Sequence, residues 1–538
     1  MKLISKRVLA FFVVLTLLVG VLCACTKTPS APTESKTDAG NSETSQAEEP
    51  AQLRISYIHD SLHPVEPQDS TAVALLEKNC NVKIEWLDWG AGDSAGYAEK
   101  LGVAVSGGET PDIFYCGTPT IAKYARSGSC LCIDDYMNEK DTPNLKKYMD
   151  NKDVRSLITY TSDKKLYSVC ALYTEPFYWF GLLARKDIMD ELNLKDEPTL
   201  EGFYNNLVAM KKAYPSIYPY TIRNQIGTLL QNWDGVFGLN AGTLPFDYNK
   251  TNEFMVACQD ERFFEMLKWL KKLYDEGLMD PEYNITTGEM WQEKMTTSKG
   301  FVTTDYLVRC EFFNDAVRSE DANSPFNLVA ISLPTWKSEY KPFLWTNNRV
   351  TDYNSWGVSA DTKAPEAAVK VLDYCFSDEI MLMNNYGKEG VTWEQKDGKP
   401  QFSADTKIAT NPTGTLDVNE YRAGNIQLFN MITKTDVYAM ISYGQNSYEG
   451  YQLYHENDWI MKVDPVVTDQ LTDDENSRIA EISTATRTYI EEQAPKFIDG
   501  SRPLTEEEYA KFQKEVLETC GAKEAVDILN KAYHAKFD

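Results

Sequence analysis

From Leu53 to Tyr115 short strand-like runs alternate with longer helix-like ones, and that alternation leaves few folds open to the chain. Leu53-Arg54-Ile55-Ser56-Tyr57-Ile58 is an apolar, strand-like run, and Ala72 to Cys80 has helical character. Val82-Lys83-Ile84-Glu85-Trp86 alternates as a second strand, with Trp86 in phase with Val82 and Ile84 and so on the core side. Ala95 to Val105 reads as an amphipathic helix, with Leu101 and Val105 four apart and Gly107-Gly108 as its stop. Pro111-Asp112-Ile113-Phe114-Tyr115 is a short buried strand. Strands alternating with helices predict a parallel sheet with helices on its faces.

What precedes this region sets the compartment. Lys2, Lys6 and Arg7 are followed by an apolar run from Val8 to Leu22 and a Leu22-Cys23-Ala24-Cys25 exit. That is a secretory signal peptide, too short to span a bilayer, which needs about 20 apolar residues. The exit resembles a bacterial lipobox, which implies cleavage before Cys25 and lipid on its thiol. Residues 26–50 hold no aromatic and no aliphatic larger than Ala, so they form a tether rather than a core. The expected location is therefore the outer face of a cell membrane, with the chain anchored by lipid.

The remaining chain is long enough for two or three folded units. The whole chain carries 80 acidic against 54 basic side chains, a formal net charge of −26, which argues against a nucleic-acid partner. Of 11 cysteines, Cys23 leaves with the signal and Cys25 is lipidated. The other nine are odd in number and mostly sit in apolar runs, so they read as buried thiols. Cys130-Leu131-Cys132 lacks the spacer of a zinc or redox pair. His59 and His63 are four apart, but Pro64 and Pro67 make that stretch a loop, and a metal site is not expected there. No nucleophile elbow, phosphate loop or His-Glu-x-x-His is present, so no catalytic residue and no cofactor is assigned. A pair of carboxylates, the minimum for glycoside hydrolysis, stays open among so many acids.

Four segments, in order, carry a family resemblance. Ala104-Val105-Ser106-Gly107-Gly108-Glu109-Thr110-Pro111-Asp112-Ile113-Phe114 is similar to the Ala-Ser-Gly-x-x-Pro-Asp-Val/Ile segment of bacterial extracellular solute-binding proteins of family 1. Asp163-Lys164-Lys165-Leu166-Tyr167 resembles their Asp-Gly-Lys-x-Tyr hairpin, with Lys164 in place of Gly and Cys170 in place of a usual Pro. Trp356 to Ala368 resembles a strand and helix start of that family, and Tyr386-Gly387-Lys388-Glu389-Gly390-Val391-Thr392-Trp393 resembles a segment of its alginate- and oligosaccharide-binding subgroup. The subgroup's calcium loop corresponds to Lys211 to Pro219, which has no carboxylates, so that site is expected to be missing.

The resemblance implies an α/β, two-lobed, periplasmic-binding-protein-like fold with a hinge and an interlobe cleft. Crossings are expected near Leu172–Glu175, Leu333–Thr335 and Ser377–Glu379. Lobe one is then 51–173 plus 336–376, and lobe two 174–335 plus 377–538. The implied partners are a carbohydrate ligand and the permease subunits of an ABC importer, with the receptor a monomer. A lipid-anchored carbohydrate-active enzyme and a peptide receptor are the alternatives. Ligands of open α/β sheets bind beyond the carboxyl ends of strands, which selects His59, Trp89, Tyr115 and Thr118 in lobe one. It selects Asn224, Asn232, Trp233, Asp305, Trp345, Asn347 and Trp393 in later loops. Trp233 and Trp393 are the expected stacking platforms, since flat indoles match the C–H faces of sugars. Trp269, on an amphipathic helix, is expected in the core.

Overall fold

The computed structural model describes residues 49–537 except 60–64, 92–93, 241, 345 and 348–349. The signal peptide, Cys25, the tether up to residue 48, and Trp345 lie outside the described residues. The strand-like run at Leu53 is the centre of β1 (Ala51–His59), which pairs in parallel with β2 (Val82–Ala91), Ile55 opposite Trp86. On its other side Ile55 meets Ile113 of β3 (Ile113–Cys116), again in parallel. The chain adds β4 (Ser168–Tyr173), crosses, and lays down β5 (Phe177–Tyr178), β6 (Phe180–Arg185), β7 (Val302–Tyr306) and β8 (Leu328–Ile331). It returns through β9 (Thr346–Asn347) into β10 (Val350–Val358). Two small pairs follow, β11 (Trp393–Lys396) with β12 (Lys399–Phe402), and β13 (Thr406–Lys407) with β14 (Leu416–Asp417), before β15 (Ile432–Thr433).

One six-stranded sheet has the order β15-β4-β10-β3-β1-β2, and a three-stranded sheet has the order β7-β6-β8. The first is not wholly parallel. β10 runs antiparallel to both neighbours, with Trp356 between Tyr115 of β3 and Val169 of β4. The reason is the crossing: β10 enters the sheet from the end at which β4 leaves it.

Helices cover these sheets with the expected punctuation. Thr71–Cys80 buries Ala72, Val73, Leu76 and Cys80; Ser70 Oγ accepts the Val73 N–H at its start, and Asn81, at φ 54°, ends it in the left-handed region. Asp473–Asp499 opens on a reciprocal capping box between Thr472 and Glu475. Lys164, at the position where the resemblance expects Gly, adopts φ 58°, a left-handed turn at a residue with a Cβ.

The buried apolar residues form two main clusters, one for each lobe. The first contains Leu53, Ile55, Ile113, Val169, Trp356, Val369 and Leu372, but also Ile380, Ala423, Leu428, Phe429 and Ile432. The second contains Leu182, Phe203, Trp233, Leu267, Trp291, Phe313 and Leu344, and later Tyr451, Phe497 and Phe512. The expected assignment of 377–538 to the second lobe is therefore corrected: the stretch around Ile380 to Ile432 packs in the first. The crossing expected near Leu333–Thr335 also falls later, because Leu344 still packs in the second cluster while Val350 packs in the first.

Between the clusters the crossing segments are laced together. β5 pairs with β9, Phe177 opposite Asn347, and β15 pairs with β4, Thr433 opposite Tyr173. Thr435 Oγ1 accepts the Glu175 N–H at 2.9 Å and donates to the Glu175 carbonyl at 2.7 Å. The Thr435 N–H donates to Thr174 Oγ1 at 3.1 Å. Around this lacing Phe177 meets the rings of Tyr173, Trp179, Tyr438, Tyr443 and Tyr451.

Candidate functional site

Strand direction locates the cleft. β4 leaves the first sheet at Tyr173, so the carboxyl ends of β1, β2 and β3, which run the same way, face the second lobe. β6 starts at Phe180 just past the crossing, and its partner at that end is Tyr306, so the carboxyl end of β7 faces the first lobe. The Arg126 Nε to Asp473 Oδ1 ion pair, 2.8 Å, joins a first-lobe helix to the start of a second-lobe helix.

In the first lobe, His59 closes β1, its side chain outside the described set. Trp89 is half-buried, its ring 5.5 Å from that of Tyr97. Tyr115 is half-buried between Tyr97 at 5.8 Å and Trp356 at 5.4 Å, and its N–H donates to Tyr97 Oη. Thr118 is buried and its hydroxyl shares a 2.7 Å hydrogen bond with Ser355, so it braces the wall rather than facing ligand.

Among the later candidates several expectations are corrected. Asn232-Trp233-Asp234 is not a loop but the end of the helix Gln225–Asp234, whose Ile226, Leu229, Leu230 and Trp233 form its buried stripe. Trp233 is 2% exposed, and its Nε1 donates to Tyr220 Oη at 3.2 Å. Trp393 is 4% exposed beside Tyr386 and donates to the Gly387 carbonyl. Neither indole has a face to offer a sugar. Asn232 is buried against a small void shared with Trp233, Thr304 and Leu344, and its Nδ2 has no hydrogen-bond partner among the described residues. Asn347 pairs through its backbone with Phe177. Trp269 is half-buried against the second core.

Asp305 is buried beneath two guanidiniums. Its oxygens receive Arg223 Nε at 2.5 Å and Nη2 at 3.0 Å, Arg309 Nε at 3.2 Å, and the Tyr306 N–H at 2.9 Å. Both arginines stay partly exposed at the end of β7 that faces the first lobe. Arg309, missed from sequence, is the first residue of the helix Arg309–Glu320 and reaches back to Asp305 near the end of β7.

Asn224 is exposed at φ 64°, and Gln225 follows at φ 66°. Both line a cavity of about 810 Å³, within the usual range for small-molecule sites. Gln231, Asp234, Thr243, Lys462, Asp464, Ser483, Arg487 and Glu491 also line it, and Tyr160 contributes from the first lobe. Asp234 is buried, its Oδ1 has no hydrogen-bond partner among the described residues, and burial pushes its carboxyl well above the usual range. Burial also raises Asp464 to about 6, against the lowering effect of hydrogen bonds from Asn240 Nδ2 at 2.7 Å and the Phe246 N–H at 3.1 Å. In the stretch matching the calcium loop, Lys211 Nζ donates to the Ile217 carbonyl and lies over the Tyr218 ring.

A family model described as bacterial extracellular solute-binding protein matches residues 71–390. The polygalacturonan/rhamnogalacturonan-binding protein YtcQ of Bacillus subtilis (strain 168) is 24% identical over 410 residues, 73% of this chain and 75% of its own. Lipoprotein LipO of the same organism is 24% identical over 382 residues, 66% of this chain and 71% of its own. The solved structure of the S. pneumoniae ABC-transporter substrate-binding protein FusA in complex with kestose matches with a TM-score of 0.64 at 17% identity, over 90% of this chain and 99% of that one.

Proposed function

We propose, since this chain belongs to the bacterial extracellular solute-binding proteins, that it captures an oligosaccharide outside the cell and delivers it to the permease subunits of an ABC importer. The observation that carries this reading is the cleft: two lobes laced at one edge, with a cavity of about 810 Å³ opening beside Asn224 and lined by second-lobe residues together with Tyr160 of the first. Such a cleft supports capture by closure, because a ligand that touches both walls favours the closed state over the open one. The sugar-binding relatives YtcQ and FusA support a carbohydrate as the solute. The lipobox-like Leu22-Cys23-Ala24-Cys25 and the lipoprotein relative LipO support an anchor on Cys25. The receptor works as a monomer, because one chain supplies both walls, and it turns nothing over.

A thermal-shift panel of oligosaccharides, peptides and amino acids tests the reading. A true ligand at 100 times its dissociation constant adds about 2.7 kcal/mol of stability. Stabilisation by oligosaccharides alone is expected. Stabilisation by peptides alone would transfer the protein to the peptide receptors, and cleaved product after incubation would make it an enzyme.

A further inference from the structure

We propose that the captured sugar carries a carboxylate and that Arg223 and Arg309 grip it, a refinement that rests on the cleft being a sugar site. Two guanidiniums meet one carboxylate here: Asp305 ion-pairs with both, and its side chain is only 3% exposed. The local excess of positive charge stands out in a chain of net charge −26. Glu311, the next acid on the Arg309 helix, turns its carboxylate to the N–H groups of Asn446 and Ser447 and, among the described residues, makes no ion pair with either arginine.

The guanidiniums are held by their faces. Both lie over the buried Trp291 ring, Arg223 at 5.2 Å and Arg309 at 5.8 Å. Arg309 also lies 4.8 Å from the exposed Phe312 ring, and Arg223 5.9 Å from Tyr306. Stacking fixes a guanidinium plane and leaves its edges to make hydrogen bonds. Asp305 uses Nε and Nη2 of Arg223 and Nε of Arg309; Nη1 of Arg223 and both Nη of Arg309 have no partner among the described residues. The side chains stay 17% and 23% exposed, at the end of β7 that faces the first lobe. A partly desolvated fork with a spare edge matches a planar carboxylate, such as that of a uronic acid residue.

The test uses the processed full-length protein, purified in detergent. Its probes are uronate oligosaccharide pools from pectin and alginate, the same pools after chemical reduction of each carboxyl to an alcohol, and sulfated oligosaccharides. Calorimetric titration should show an acidic pool bound about 10- to 100-fold more tightly than its reduced counterpart. Arg309→Gln should collapse that preference toward parity with little change in melting, because Asp305 keeps both bonds from Arg223. Reduced pools bound as tightly as acidic ones would overturn the inference and leave the sugar receptor standing. So would a preference that survives Arg309→Gln, or a preference for sulfate. Failure of every oligosaccharide to bind would overturn both.

Discussion

Trp233→Ala separates a core role from a ligand role. A buried Trp hides about 150–250 Å², which at about 25 cal/mol per Å² is roughly 4–6 kcal/mol of transfer free energy. Partial collapse of the surroundings recovers some of it, and measured Trp and Phe truncations cost about 3–5 kcal/mol. Trp233 packs against Phe203 at 5.7 Å, Trp269 at 5.6 Å and Tyr220 at 6.0 Å, all within a close-packed cluster that leaves little room to collapse. Tyr220 Oη loses one partner but keeps Thr304 Oγ1 at 3.2 Å, so no hydroxyl is orphaned. The expected loss is about 4 kcal/mol, a large share of the about 5–15 kcal/mol that holds a domain folded. Urea unfolding followed by far-ultraviolet circular dichroism reads the stability, and calorimetric titration of the best sugar from the panel reads the affinity. A melting profile within about 0.5 kcal/mol of the parent, with weakened binding, would return Trp233 to the cleft and refute the packing argument.

Three further outcomes are expected. Asp464 has a folded pKa of about 6, above the unfolded value, so the folded state holds its proton more tightly and stability falls as pH rises between about 4 and 6. The deficit is complete above pH 6 and is on the order of 3 kcal/mol; Asp464→Asn keeps an acceptor for Asn240 and Phe246 and should flatten that slope in urea titrations, and an unchanged slope would exclude Asp464 as its source. Thr435→Val removes both hydrogen bonds to Glu175 and should cost about 1–3 kcal/mol, read as a lower melting temperature; an unaltered melt would mean the lacing adds nothing. Cys25→Ser should abolish incorporation of a radioactive fatty acid and either release the protein or leave its signal uncleaved, and equal labelling of the mutant would contradict the lipobox reading.

The strands were readable because period-two patterning and Gly or Pro stops are local. β1, β2 and β3 lie where their side chains place them. Partner choice was not readable, because β10 inserts between β3 and β4 only after a long excursion. Gly227 and Gly235 flank Trp233 without making a loop there, because each marks a close approach: a Cβ on Gly227 would meet Glu491 Oε1 at 2.6 Å, and one on Gly235 would clash with the Phe343 carbonyl. The spacing of Ile226, Leu229, Leu230 and Trp233 carried the helix signal all along. Neither arginine of the pair was legible: Arg309 meets Asp305 across a strand-to-helix turn, and Arg223 reaches it from 82 residues away, so both need the fold to be seen.

β15 has a consequence for how the chain is made. Until Ile432 and Thr433 leave the ribosome, β4 has one edge without its neighbour at Leu172 and Tyr173. The second core waits longer still, for Phe497, Phe512 and Val516. The first lobe therefore cannot complete its sheet until residue 433 is made, nor the second its core until nearly the whole chain is, and pairings this distant in sequence form slowly. An unfinished sheet edge invites aggregation in a crowded cytoplasm. For a chain threaded through a membrane as an extended polymer the same delay is useful, since a native state that cannot form early cannot jam the channel.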